Sequence, residues 1–524
     1  MRFERFANDL FYGNTKPTIT LNWGMAYTAV TGAVTKGTYG HYIINQTGTV
    51  GDVVSNNWSI WLQDSWTINN RLTINAGVRS ETEHIPSYKK TVDAIDVKFG
   101  FADKIAPRIG FAYDIKGDGR WKAYGSYGLF YDITKLELPI GQWGGDHWIN
   151  YIWTLDTYDW KSIDCKEGAS GGCPGKFIEE IDYRRSTNQQ DPDLTAYFGH
   201  PMTGVDPDLK PVRTGEFSLG MDHEVSSTMS IGARYTHKWL DRTIEDVGIV
   251  FPGIGEIYIH GNPGFGTTKV MIPEFSQYET PKATRKYDAV EFRLRKRLSN
   301  NWSGDVSYTL SRIWGNYSGL ASSDEVGAYN DVYGPGETKR ARTSPNVNRD
   351  FDDLAMSFAE NAVPSYGPLP ADRPHQLRLQ ALYDFPFGTS VGATFNAASG
   401  VPLSRYVTLP PGVAPVYYLG RGSDGRTPSL WQVDLYLQHD LKLSDRFRLE
   451  LSANVLNLFD TDKATLLWDV ETQEEVPITT EEYLGGADIS RAIAANRVLL
   501  DPRFLQPRDF QLPRSIRLSA RLTF

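Results

Sequence analysis

The sequence predicts an all-β protein: an antiparallel transmembrane β-barrel with about 14 strands present, short periplasmic turns and long extracellular loops. Three observations carry that expectation. Apolar residues recur at every second position in long segments, the pattern of a two-faced strand. The segments come in pairs joined by short turns, whereas the pairs are joined by long loops, the asymmetry of bacterial outer-membrane barrels. Aromatics make up 13% of the chain, with 14 Trp and 28 Tyr, and many sit near segment ends, where a membrane interface favours them.

Taken in order, the first candidate strand, around Ile19 to Tyr27, alternates weakly. Trp58, Ile60 and Leu62 then share a face, and after a turn at Asn69–Asn70 so do Leu72, Ile74, Ala76 and Val78. Ile109, Phe111, Tyr113 and Ile115 are followed by a KGDG turn and by Trp121, Ala123, Gly125, Tyr127, Leu129 and Tyr131. Phe217, Leu219 and Met221 precede SST and then Met229, Ile231, Ala233 and Tyr235. Val290, Phe292 and Leu294 precede SNN and then Trp302, Gly304, Val306, Tyr308 and Leu310. Leu377, Leu379, Ala381, Tyr383 and Phe385 are paired through Gly388 with Val391, Ala393, Phe395 and Ala397. Trp431, Val433, Leu435 and Leu437 are paired through SDR with Leu449, Leu451, Ala453 and Val455. The last strand carries Ile516, Leu518, Ala520, Leu522 and Phe524 on one face and Arg517, Ser519, Arg521 and Thr523 on the other.

These are 13 clear strands and one weaker one. Most run about ten residues, against about 5–6 for soluble strands, the length a tilted strand needs to cross a bilayer. The long connections run from Asp132 to Pro211, Asp241 to Thr284, Ser318 to Arg373, Val401 to Thr427 and Asp460 to Leu512. Soluble sandwiches do not normally carry loops of this size. No linker interrupts the pattern, so residues 1–524 read as one barrel domain.

The polar positions fit a hydrated lumen. Glu291, Arg293 and Arg295 alternate with Val290, Phe292 and Leu294, and Asp305 lies among Ser303, Ser307 and Thr309 on the next strand. Such charges are costly against lipid and comfortable in water. Trp58, Trp66, Trp121, Tyr131, Trp302 and Trp431 suit interfacial girdles as a set, although each singly is equally compatible with core packing.

Bulk properties exclude other classes. Mean hydropathy is −0.40, and no run approaches the roughly 18 apolar residues of a transmembrane helix. A net charge of −9 argues against nucleic acid as a partner, because phosphates need Lys and Arg stripes. The start, MRFERFANDLFYGN, lacks the apolar core of a signal peptide; either one was removed or, the favoured expectation, the sequence begins partway through a longer chain.

Several stretches resemble a known family. DPDLKPVRTGEFSLGMDHEV, from Asp206 to Val225, is similar to the N-P-x-L-K-P-E segment that opens a strand in TonB-dependent receptors, with Asp206 in place of Asn and Val212 in place of Glu. SANVLNLFDTDKAT, from Ser452 to Thr465, resembles their late-strand N-x-x-N-L-F motif. The final strand, ending in Phe524, resembles the signal read by the barrel assembly machinery. Within those receptors the likeness is to Oar-like proteins, carried by GGDHWINYIWTLDTYDW, GNYSGLASSDE, RTSPNVNRDFD, LPADRPHQLRLQALYDFPFGTSVG and ASGVPLSR, in that order along the chain.

The resemblance implies a 22-stranded barrel with an internal plug, energised by TonB, ExbB and ExbD, taking up an external ligand. No plug pattern or TonB box is found in the sequence. The expectation is therefore the C-terminal barrel portion of such a receptor, with about eight strands elsewhere in a longer chain. The competing expectation is a passive, porin-like outer-membrane channel. An outer-membrane enzyme would need clustered acidic, His or Ser groups at the rim, which the sequence does not assemble, and a soluble carbohydrate-binding β-protein would be expected to dissolve without detergent.

Three kinds of candidate site lie in the loops. Cys165 and Cys173, in CKEGASGGC, are expected to form a disulfide, because the span is short and an exported loop meets an oxidising compartment; the loop restriction is worth about 2–3 kcal/mol. No further Cys or His lies near enough to complete a metal site with them. Trp143, Trp148, Tyr151, Trp153, Tyr158 and Trp160 are candidate ligand contacts; the alternative is that they pack the loop onto its neighbours. Asp191 with Asp193, Asp206 with Asp208, and Asp350 with Asp352 and Asp353 offer calcium-type oxygen ligands, but no EF-hand spacing is complete and solvated acidic loops are expected. No H-E-x-x-H or G-x-S-x-G motif occurs, so neither enzyme activity nor a cofactor or resident metal is expected.

Overall fold

The structure, a computed structural model, describes all residues except 14–17, 30, 88–95, 135–145, 164–172, 183–204, 252–254, 271–275, 320–349 and 411–413. Among the described residues one antiparallel sheet of 18 strands contains fourteen wall strands, each paired with the next of them along the chain. They are β1 Arg2–Gly13, β2 Gly40–Ile68, β3 Leu72–Glu81, β4 Ile105–Asp114, β5 Trp121–Tyr131, β6 Arg213–Ser226 and β7 Met229–Arg242. β8 Arg285–Ser299, β9 Trp302–Gly315, β10 His375–Phe385, β11 Thr389–Ala398, β12 Leu430–Lys442, β13 Arg448–Leu456 and β14 Ser515–Thr523 complete it. Among the described residues β1 and β14 do not pair with each other, so the sheet is open.

Register explains why the alternation was legible. Across β6 to β12, Met221, Ala233, Phe292, Tyr308, Leu377, Ala397 and Trp431 stand side by side. One step along, Ile231, Leu294, Val306, Leu379, Phe395 and Val433 make a second apolar row. Many of these outward side chains are open to the surroundings: Phe292 is 52% exposed, and on the last strand Leu518 is 78% exposed. Leaving a side chain of this size in water forgoes about 1.5–3 kcal/mol, so continuous rows of them require hydrocarbon around the wall. Aromatics border the band. Trp66, Trp121 and Trp302 lie at the end with the short turns, and Trp58, Tyr131 and Trp431 at the end with the loops.

The short turns follow from their residues. Asn69 and Asn70 have φ of 51° and 53°, and Asn300 and Asn301 have φ of 50° and 66°. Two successive left-handed residues match the right-handed twist of the flanking strands, and Asn tolerates that conformation better than most side chains.

One expectation needs correction. The fourteenth long strand is Arg2–Gly13, whereas Ile19 to Tyr27 supplies only the short strand Thr18–Trp23 and part of a hairpin beyond it. β1 pairs with β2 from Ser59 to Gly48, and Thr18–Trp23 continues along β2 from Asn45 to Gly40. β2 has 29 residues, about 95 Å when extended, against a hydrocarbon core of about 30 Å. Its outer part therefore stands clear of the membrane, and β1 lies along Gly48–Ser59, beyond the stretch Ser59–Ile68 that pairs with β3. β1 escaped notice because Arg5 and Asp9 fall on the same face as Phe3 and Ala7, which breaks the period of two.

Among the described residues the dry cores are in the loops, not inside the wall. The largest brings Leu354 and Phe358 together with Val407, Leu409, Val416 and Tyr418 and with Val476, Ile478, Tyr483 and Ile489. These come from three different long loops, which therefore fold together as one unit. Two short helices, α1 Thr480–Leu484 and α2 Ile489–Asn496, close that core. Thr479 and Glu482 form a reciprocal capping box at the start of α1.

Candidate functional site

The site has two parts, the inner face of the wall and the loop layer above it. On the inner face Ser230, Arg295, Asp305, Gln380, Thr394 and Asp434 form one polar row across six strands. The sequence-predicted lumen residues are brought together there. Asp305 accepts hydrogen bonds from Arg293 at 2.9 Å and Arg295 at 3.1 Å, and Glu291 accepts from Arg234 at 2.7 Å. Further along, Lys238 meets Glu216 at 2.8 Å. Glu216, Arg234, Lys238, Glu291, Gln376 and Arg378 line a groove of about 370 Å³. These pairs are partly solvated, so each is worth about 0–1 kcal/mol. Their effect is to present alternating charge, rather than hydrocarbon, to whatever occupies the lumen.

At the rim, charge is buried instead. Lys104 is fully buried and its ammonium lies 2.8 Å from Glu83 and 3.2 Å from Glu81. It also donates to the Asp132 carbonyl at 3.1 Å. In the loop layer Arg421 donates to Asp350 at 2.7 Å and to the Ser365 carbonyl at 3.2 Å. Arg405 bridges Asp424 at 2.7 Å and Glu471 at 3.0 Å, and Tyr418 donates to Glu471 at 2.6 Å. Burial, then the hydrogen bond to Glu471, pushes the Tyr418 hydroxyl up to about 12. Breaking such buried pairs one partner at a time is costly, which fixes the loops in one arrangement.

The loop aromatics divide. Trp153 is 7% exposed and packs with Tyr42, Ile44, Leu155 and Ile163, with Tyr151 against them. Those two positions hold the strand Asp146–Leu155 onto β2; Trp153, its face covered by the loop's own core, is corrected from candidate ligand contact to packing residue, whereas Tyr151 is half-buried at the edge of that core. Tyr158 and Trp160 are 75% and 55% exposed. Tyr158 lies 5.7 Å from the Trp23 ring and 5.8 Å from the Tyr39 ring, both also exposed. Trp23 and Tyr39 were not singled out by sequence, since they belong to a hairpin more than a hundred residues away. Trp143 and the Trp148 side chain lie outside the described residues, as does Cys165. Cys173 packs against the Trp153 cluster. Phe524 follows the last strand and is 90% exposed.

Buried carboxylates were missed as a group. Glu245, Asp246 and Asp352 each place an oxygen within 4.8 Å of the others. Sequence spacing could show only Asp350, Asp352 and Asp353, because the other two arrive from a different loop.

An open sheet with a hydrocarbon-compatible outer face, a charged inner face and a folded external layer defines the wall of an outer-membrane barrel. The chain belongs to the outer membrane β-barrel domain family, whose profile matches residues 12–412. It is 26% identical over 498 residues to the TonB-dependent transporter Oar of Myxococcus xanthus, which bears out the Oar-like resemblance. That alignment covers 88% of this chain and 42% of the relative, so the chain spans less than half the length of the curated relative it matches. Similar solved structures include the ferric yersiniabactin uptake receptor of Yersinia pestis, at 9% identity and a TM-score of 0.42 over 92% of this chain and 49% of that one. A mutant ferric enterobactin receptor of Pseudomonas aeruginosa gives 11% identity and a TM-score of 0.44 over 92% and 50%.

Proposed function

We propose that this chain forms the wall and outer mouth of a TonB-energised receptor that moves an external ligand across the outer membrane. The observation that supports the reading most is the collinear likeness, over 88% of the chain, to a TonB-dependent transporter. The physics supports the same role. The inner rows pair Arg293 and Arg295 with Asp305, and Arg234 with Glu291, so a hydrated path runs along the wall. The loop layer is fixed by its own cores, so it presents a preformed surface to the outside. Assembly through the barrel machinery, using the strand that ends at Phe524, belongs to the same proposal.

Genetic epistasis tests it. Deleting the gene and deleting tonB should produce overlapping transport or growth defects, with no further loss for that ligand in the double mutant. A gene deletion whose effect persists at full size without TonB would favour a passive channel instead.

A further inference from the structure

The exterior of the wall is uncharged over most of its loop end. There the outward residues of β3, β4 and β5 are Ser80, Ile105 and Tyr131, and those of β11 to β14 are Ala397, Trp431, Val455 and Ile516. On β8 and β9 they are instead Lys286 and Asp288, and Arg312 and Trp314. The ladder sets Trp239, Lys286 and Trp314 side by side, with His237, Asp288 and Arg312 in the next outward row. Lys286 and Arg312 are therefore diagonal neighbours, about 7–8 Å apart on one face of the sheet. Both are exposed, and they share that face with Val290, Phe292 and Leu310, away from the lumen.

Trp239 and Trp314 place these cations at the level of the membrane interface, because indole rings settle there. Their charge is not consumed within the protein. Among the described residues neither Lys286 nor Arg312 forms a salt bridge, and Arg312 rests on the Trp314 ring, 4.1 Å from its centroid. The acid between them, Asp288, accepts from the Tyr235 hydroxyl at 2.6 Å and lies 2.8 Å from His237 Nδ1. Beside them Arg213 is paired with Asp241, and His375 is hydrogen-bonded to Tyr308 at 2.7 Å. The opposite interface shows the contrast. Lys296 lies over the Trp302 ring, but its ammonium donates to the Ser299 and Trp302 carbonyls at 2.9 and 2.8 Å. That lysine is satisfied by its own turn, whereas Lys286 and Arg312 turn their charge to the surroundings.

We propose that Lys286 and Arg312, between Trp239 and Trp314, form a docking patch on the outside of the wall for the phosphate-bearing headgroup of an outer-leaflet lipid. Charge complementarity selects the occupant. An arginine fork matches phosphate geometry and a lysine adds a point charge, and the diagonal spacing lets one phosphate face both. Position selects the source. The same face continues into Val290, Phe292 and Leu310, so a ligand held here by its phosphate lays its acyl chains along an apolar row. A free anion would gain only the first of these contacts. The proposal rests on the wall facing lipid, not on the energy source of transport.

Native mass spectrometry of the full chain in detergent tests this, with bisphosphorylated lipid A as the probe. The wild type should retain that lipid in preference to its dephosphorylated form. The double variant Lys286→Gln, Arg312→Gln should bind it at least about tenfold more weakly, and Lys442→Gln, at an exposed lysine of the short-turn end, should bind like the wild type. A double variant that retains the lipid as the wild type does would overturn the proposal. Displacement by excess inorganic phosphate would assign the patch to a free anion and overturn it too. If the double variant does not fold, a wild type that holds the phosphorylated and dephosphorylated lipids equally would overturn it on its own.

Discussion

Arg421 shows what single residues do in this protein. Its guanidinium is 2% exposed, pairs with Asp350 at 2.7 Å and reaches the Asn316 and Ser365 carbonyls. Asp350→Ala removes a buried carboxylate from that cation, so it should destabilise the loop layer by about 3–5 kcal/mol, seen as faster amide exchange around residues 350–357 and 414–421. Removing Asp305 should do far less, because Arg293 and Arg295 are about half exposed and water replaces the lost partner. Asp501 tests the acid side. Hydrogen bonds from Arg503, above all, hold its carboxyl below the ordinary 3.8. A lowered folded-state value means the stabilisation is fully present above about pH 4 and fades as pH falls through the folded value. Asp501→Asn should therefore loosen residues 501–506 at pH 7 and make little difference at the acid end of the range. The roles of Arg421 and Lys104 were not legible in sequence: each is one basic residue in a polar loop until folding buries it beside its acids.

At the level of elements, the wall was legible and the loops were not. A membrane strand needs only local alternation, and each of the 13 strands expected from alternation appears in the sheet. β1 failed the pattern because its charges share a face with Phe3, and its position beyond the stretch of β2 that pairs with β3 explains how they are tolerated. The loop layer depends on contacts between segments as far apart as Leu354 and Ile489, which no local period records. The wall makes a sharp prediction. Phe292→Arg, in the middle of the outward row, should cost about 2–4 kcal/mol of folding stability in a bilayer, whereas Ser307→Arg on the lumen face should cost little. Urea titration in lipid vesicles reads both.

For the whole molecule, the loop layer, the polar lumen and the apolar exterior form one arrangement, in which water lies above and inside and lipid lies around. The expected Cys165–Cys173 link belongs to the watery part, and intact-mass alkylation should find both thiols blocked until a reductant is added. The central claim concerns direction, that even-numbered residues of β8 and β9 face lipid and odd-numbered residues face the lumen. Spin-label scanning measures this most directly, with single cysteines placed at Phe292, Leu294 and Val306 and at Arg293, Asp305 and Ser307, and the native Cys165 and Cys173 replaced by Ser. Labels at the first three sites should be quenched by oxygen dissolved in lipid, and labels at the second three by a water-soluble nickel chelate. Equal access of the chelate to both sets, or the reverse alternation, would contradict the account.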